Sequence, residues 1–134
     1  MEKRRRDERG SAGIAETVIL APVLLFMLMA IVQFGLYFHA RNIAEQSAQE
    51  GAAVARRFDG TAAAGRSKTL EFLGSLGSDT LRGRTVEANR TPETATVTVS
   101  GTVISLVPWL ELRVEESATG PVERYVPPSD AGAQ

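Results

Sequence analysis

The sequence predicts an α+β protein: a long N-terminal helix that crosses a membrane and continues beyond it, a short second helix, and a small antiparallel sheet of about three strands. Three observations predict it. Residues 17–38 (TVILAPVLLFMLMAIVQFGLYF) form a near-continuous apolar run. Residues 38–57 (FHARNIAEQSAQEGAAVARR) contain no proline and are rich in helix formers. Beyond Arg82 the apolar period changes from helical to alternating.

The apolar run has 22 residues, a helical rise of about 33 Å against a hydrocarbon core of about 30 Å. A buried helix of a soluble enzyme would carry a polar stripe, whereas only Thr17, Gln33 and Tyr37 interrupt this one. A cleaved secretory signal has a shorter apolar region and ends in small residues, but a cut after Ala40 would leave Phe38 where a small residue is needed. The expected result is a retained single-pass span.

Orientation follows from the flanks. Lys3, Arg4, Arg5, Arg6 and Arg9 precede the run, while Arg41 and the more distant Arg56 and Arg57 follow it. This imbalance predicts a cytoplasmic N-terminus and translocation of everything after about His39. Residues 1–10 are then a basic cytoplasmic leader, 11–58 the transmembrane helix and its extension, 59–124 a small extracytoplasmic α+β domain, and 125–134 a polar, disordered tail.

Composition limits the chemistry. The chain has 134 residues, with 15 Lys and Arg against 16 Asp and Glu. The leader contains Glu2, Asp7 and Glu8 beside its five basic residues, so the remainder is mildly acidic and offers no footprint for nucleic acid. With no cysteine there is no disulfide, zinc-thiolate site or thiol nucleophile. The single histidine, His39, sits at the outer end of the span and reads as a solvated boundary residue. No metal-ligand cluster, phosphate-binding glycine loop or base-activated nucleophile is legible, so neither cofactor nor catalysis is expected. A domain of about 75 residues buries only a modest core and is expected to lean on the helix extension or on neighbouring subunits.

Along that extension Ala40, Ala44, Ser47, Ala48, Gly51, Ala52 and Ala55 recur at spacings of three and four. They form one stripe of small side chains that permits close approach by a sheet or helix, in this chain or a neighbour, while Arg41, Glu45, Gln49 and Arg56 face solvent. Asp59-Gly60-Thr61 stops the helix and opens the next, with Asp59 or Thr61 as its cap. Residues 62–73 (AAAGRSKTLEFL) form an amphipathic helix with Ala63, Arg66, Leu70 and Leu73 on one side.

The strands are expected at residues 85–89, at 94–105 with Val97, Val99 and Val103 on one face, and at 110–118 with Leu110, Leu112 and Val114 on one face. Thr91-Pro92-Glu93 makes the first connection and Val107-Pro108-Trp109 turns the second. Gly101 marks a bulge or bend, and Trp109 reads as a packing residue of the domain. The N-x-T pattern at Asn89 falls in an expected turn and carries little weight.

Arg9-Gly10-Ser11-Ala12-Gly13-Ile14-Ala15-Glu16, followed by Leu20-Ala21-Pro22, Gln33-Phe34-Gly35, Ala40-Arg41-Asn42 and the alanine-rich residues 50–55, resembles the TadE-like proteins. These are small pilin-like proteins of tight-adherence (Flp) pilus systems. The resemblance covers about residues 8–57. It implies a bacterial pseudopilin or minor pilin with a pilin-like fold, made with a short leader that a prepilin peptidase removes before the apolar segment. It also implies that Glu16 pairs with the free N-terminal amine of another subunit during assembly. A carboxylate in low dielectric seeks a positive partner or becomes protonated, and from the residues alone Glu16 can equally stay in the headgroup region at the positive end of the helix dipole.

The spacing departs from the family pattern. A cut after Gly10 makes Glu16 the sixth mature residue; a cut after Ser11 makes it the fifth but replaces the glycine before the scissile bond, and Gly13 is too close to serve. The cleavage region is therefore Gly10, Ser11 and Ala12, and an uncleaved form stays open. The resemblance further implies partners among pilin-like or pilus-assembly proteins, including copies of this chain, with Pro22 and Gly35 joining the small-residue stripe as helix-packing positions. The resemblance places the chain, as an expectation, in a pilus or a related secretion apparatus at the bacterial cytoplasmic membrane. Two rival readings remain: a membrane-tethered sensor or adaptor, and a membrane enzyme using Glu111, Glu115 and Glu116.

Overall fold

A computed structural model describes residues 7–76 and 79–126, with side chains from residue 13 onward. Positions 1–6 of the expected leader and 127–134 of the expected tail lie outside the described residues. The element order is α1 (Asp7–Ala55), α2 (Ala62–Leu76), β1 (Leu81–Arg90), β2 (Thr94–Val103) and β3 (Arg113–Pro121). The α+β class expected from the sequence is the class observed, with three antiparallel strands in the order β1-β2-β3.

Only the outer part of α1 carries the domain. It lies over β2 and β3, while α2 packs beside it and over β1. The helix contributes Ala40, Ala44, Ala48 and Ala52 to the core; the sheet and α2 contribute the larger Val97, Val99, Val103, Val114, Leu81 and Leu73. Small side chains on one layer thus meet branched ones on the other, which keeps packing dense while the helix backbone approaches the sheet closely.

β2 alternates strictly, burying Ala95, Val97, Val99, Gly101 and Val103. Its other face is polar, and Thr96 and Thr98 form hydroxyl hydrogen bonds to Thr119 and Ser117 on β3 at 2.9 and 3.1 Å. A sheet with one covered and one solvated face explains this alternation. Asn89 lies within β1 rather than in a turn, and is exposed.

Several boundaries differ from expectation for identifiable reasons. β1 is longer because a bulge between Arg82 and Thr85 admits one extra residue, and Gly83 supplies the positive φ of 57° there. The extra residue is on β1, where Gly83 and Arg84 lie opposite Gly101; Gly101 itself pairs in register with Val114 and lies against Leu81. β3 begins later because the chain from 104 to 112 is occupied by a loop, leaving Leu110 exposed and Leu112 only partly buried.

α2 buries Gly65, Thr69 and Leu73, whereas Ala63, Arg66 and Leu70 are exposed. Close crossing of α1 decides this face. A Cβ on Gly65 would lie 2.7 Å from both the Ala55 Cβ and the Gly51 carbonyl oxygen, so apolar bulk is excluded where the helices touch. Thr61 is the α2 cap, accepting from the Ala64 N–H at 3.0 Å, while Asp59 stays in the exposed turn.

Candidate membrane and assembly surface

The helix has two unlike halves. Among the described residues, α1 is the one helix long and apolar enough to cross a membrane. Val18, Leu24, Phe26, Leu28 and Ile31 are each more than half exposed, although they lie on different sides of the helix. An apolar surface bare on every side fits a single-pass membrane anchor.

Glu16 lies in the first part of this bare segment and is exposed. It is the sole Asp, Glu, Lys or Arg from Gly13 through His39, and among the described residues it makes no ion pair. Beside it the Thr17 hydroxyl donates to the Gly13 carbonyl at 2.9 Å. Pro22 lies inside the helix and lacks the N–H that would reach the Val18 carbonyl. Gly10, Ser11 and Ala12 belong to the backbone of α1, and their side chains lie outside the described residues.

Gln33 marks the change between the halves. Its side chain is only 2% exposed. The amide oxygen accepts from the Leu106 N–H at 2.8 Å and the Ser105 hydroxyl at 3.3 Å, and the amide nitrogen donates to the Ile104 carbonyl at 3.3 Å. One glutamine thereby satisfies both polar edges of the β2–β3 loop and fastens it to the helix. Leu36 and Tyr37 pack against the domain core one turn further on.

Beyond Gln33 the small-residue stripe is used within the chain. Ala40, Ala44, Ser47, Ala48, Gly51, Ala52 and Ala55 are all buried. A Cβ on Gly51 would meet the Gly65 carbonyl at 2.8 Å as well as Thr69, which places α2 directly on this stripe. Gly35 is exposed with nothing within 4 Å of an added Cβ, and Pro22 is exposed too. These two positions face away from the domain contacts.

The far end of the domain is closed by Arg90. Its guanidinium donates to the carbonyls of Gly60, Arg57 at 3.0 Å and Phe58 at 3.5 Å. These are acceptors around the exit from α1, where a cation also meets the negative end of the helix dipole. Arg84 does the same for α2, donating to the Leu73 carbonyl at 3.3 Å.

The carboxylates considered for an enzyme are divided by the sheet. Glu115 and Glu116 are neighbours on a strand and point to opposite faces, and Glu111 is in the loop before it. Glu116 is on the helix side, where its Oε1 accepts from the Arg41 Nε at 2.7 Å. The hydrogen bond to Glu116, and then the charge of that carboxylate, raise the Arg41 pKa above its ordinary value. His39 and Trp109 are both exposed, so Trp109 is not the packing residue its type suggested.

The sequence singled out Gln33 as an interruption of the apolar run and as part of a family motif, without a partner for its side chain, and gave no role to Arg90 or to the Arg41–Glu116 pair. Their signals exist in retrospect: a glutamine within a span and a glutamate on the covered face of a strand both need partners.

Comparison with curated proteins and with solved structures finds no match. The model of the family described as TadE-like protein matches residues 12–53. The match covers the bare apolar segment and most of the buried stripe, ends before the turn into α2, and includes Glu16, Pro22, Gln33 and Gly35. Over these residues the long helix that organises the molecule is similar to TadE-like proteins.

Proposed function

We propose that the chain is a pseudopilin or minor pilin of a tight-adherence pilus or a related secretion apparatus, acting through helix packing rather than catalysis. The TadE-like match supports a role in such a pilus system. The observation that carries the finer reading is that residues 14–32 of α1 contribute almost nothing to the fold of their own chain, while the small-residue stripe within residues 40–55 is buried in it. A segment that is apolar on every side, and rigidly continuous with a folded domain, can exchange lipid for other helices without disturbing that domain.

In this reading the N-terminus is cytoplasmic and the domain extracytoplasmic, as the basic flank favours. Glu16 supplies the polar contact, pairing with the amine of a neighbouring subunit after a prepilin peptidase cuts in the Gly10, Ser11 and Ala12 region. A lone carboxylate amid apolar side chains gains most from such a partner, because the alternative is desolvation without compensation. Pro22 and Gly35 are the packing positions left for contacts between subunits, since the longer stripe is covered.

The test is deletion of the gene in its native host and complementation with Glu16→Gln. Loss of pilus assembly and adhesion, not restored by the variant at equal membrane abundance, supports the reading. Unchanged piliation in the deletion strain, with no paralogue expressed, counts against it.

A further inference from the structure

The chain joining β2 to β3 has the composition of a membrane contact and the position of one. Within this loop residues 104–110 (ISLVPWL) carry no charge. Leu106 is 46% exposed, Leu110 37% and Trp109 75%, so three large apolar side chains stand out from a single short loop. Gln33 binds this loop to α1 at the lower end of the domain, whereas Arg90 binds the opposite end of the sheet to the α1–α2 turn. The sheet therefore directs its β2–β3 end toward the bare apolar half of the helix.

We infer that this loop rests in the boundary between headgroups and acyl chains, giving the domain a second membrane contact beside its own span. The inference rests on the single-pass membrane anchor and not on the pilus assignment. Its occupant is lipid because the loop is continuous with the lipid-exposed helix. Ile14 to Gln33 rises about 28 Å, close to the hydrocarbon thickness of about 30 Å, so a span beginning at Ile14 ends beside the loop.

The backbone of the loop is prepared for low dielectric. Leu110 N–H donates to the Val107 carbonyl at 3.0 Å, closing a turn with Pro108 in its second position. Val107 N–H donates to the Ser105 hydroxyl at 3.1 Å, Leu106 N–H to Gln33, and Ile104 N–H to the Thr80 carbonyl at 3.3 Å. Pro108 has no N–H to satisfy. Paired backbone groups remove much of the penalty for leaving water. Trp109 then places an indole at the depth where its apolar ring and polar N–H are both accommodated. Glu111 and Arg113 follow immediately and limit penetration to the interface.

Trp109 is the sole tryptophan, so the unlabelled full-length chain reports on its own loop. It would be reconstituted in phosphatidylcholine vesicles carrying bromine either high on the acyl chain or near the chain end, and membrane retention would be checked by alkaline carbonate extraction. The expected result is retention, with Trp109 emission losing roughly half its intensity to the shallow bromines and less to the deep ones, and resisting aqueous acrylamide. Retained protein whose emission ignores both bromines and remains open to acrylamide overturns the loop contact while leaving the anchor intact. Protection from acrylamide without bromine quenching, rising with protein-to-lipid ratio, overturns it in favour of a second copy. Extraction by carbonate overturns the anchor and the loop contact together.

Discussion

Gly51 of α1 and Gly65 of α2 cross with no side chain between them: a Cβ added to Gly65 would sit 2.7 Å from the Gly51 carbonyl oxygen. This crossing fixes which face of α2 turns inward and lets Thr69 reach the α1 backbone. It also accounts for the small-residue stripe without a second molecule. Replacing Gly65 by Val forces the helices apart and is expected to destabilise the domain by about 1–3 kcal/mol, with Gly74→Ala as a control, since Gly74 has open space around it. Thermal unfolding of both variants in one detergent checks this.

Gln33 couples the membrane helix to the sheet through one side chain. Gln33→Leu leaves the Leu106 N–H and Ile104 carbonyl without their partners. The expected loss is about 1–3 kcal/mol, the usual cost of orphaned buried polar groups. The loop should loosen before the domain melts, read as a fall in Trp109 anisotropy with unchanged circular dichroism at low temperature. Equal anisotropy in the two proteins would show that Gln33 does not hold the loop.

Arg90 ties the β1 end to the α1–α2 turn through three carbonyls. Arg90→Met keeps much of the apolar stem and removes these charge-assisted bonds, with an expected cost of about 1.5–3 kcal/mol. Arg90→Lys should recover little of it, because an ammonium cannot reproduce the planar fork that spans the turn. Chemical denaturation of the three proteins separates lost charge from lost geometry.

The Arg41–Glu116 pair is a different case, because Arg41 is half exposed at 49%. Solvent and salt screen such a pair, so Arg41→Gln should change the melting temperature little, and less still at high salt. A raised pKa contributes stability that is present below the unfolded value and lost as pH rises through the folded one. For Arg41 both values lie far above neutrality, so the pair's guanidinium stays charged and its contribution should be flat from pH 6 to 9. A melting profile that separates variant from parent only at one end of this range would contradict that.

The long helix, the order of elements and the buried face of β2 were legible because each rests on periodicity over many residues. The strict alternation of Ala95, Val97, Val99, Gly101 and Val103 needs no partner to be recognised. The inward face of α2 was not legible, because it is set by where α1 allows close approach, and glycine and threonine win there over leucine. Trp109 was misread for a similar reason: an aromatic residue suggests a core until the neighbouring membrane provides another apolar phase. Of the candidate site, Glu16, Pro22 and Gly35 could be named from the TadE-like motifs, while the closing contacts of Gln33 and Arg90 join residues distant in the chain.

The central claim, that residues 14–35 are the assembly surface and the small-residue stripe within residues 40–55 is not, is tested most directly by cysteine crosslinking in native membranes. The chain has no cysteine of its own, so single cysteines at Leu24, Gly35 and Ala48 can be compared without background. Leu24 and Gly35 should give adducts with a second copy or with pilus-assembly proteins, and Ala48, 0% exposed beneath the sheet, should give none. Adducts from Ala48 alone, or capture of only an unrelated receptor through the domain, would contradict the account.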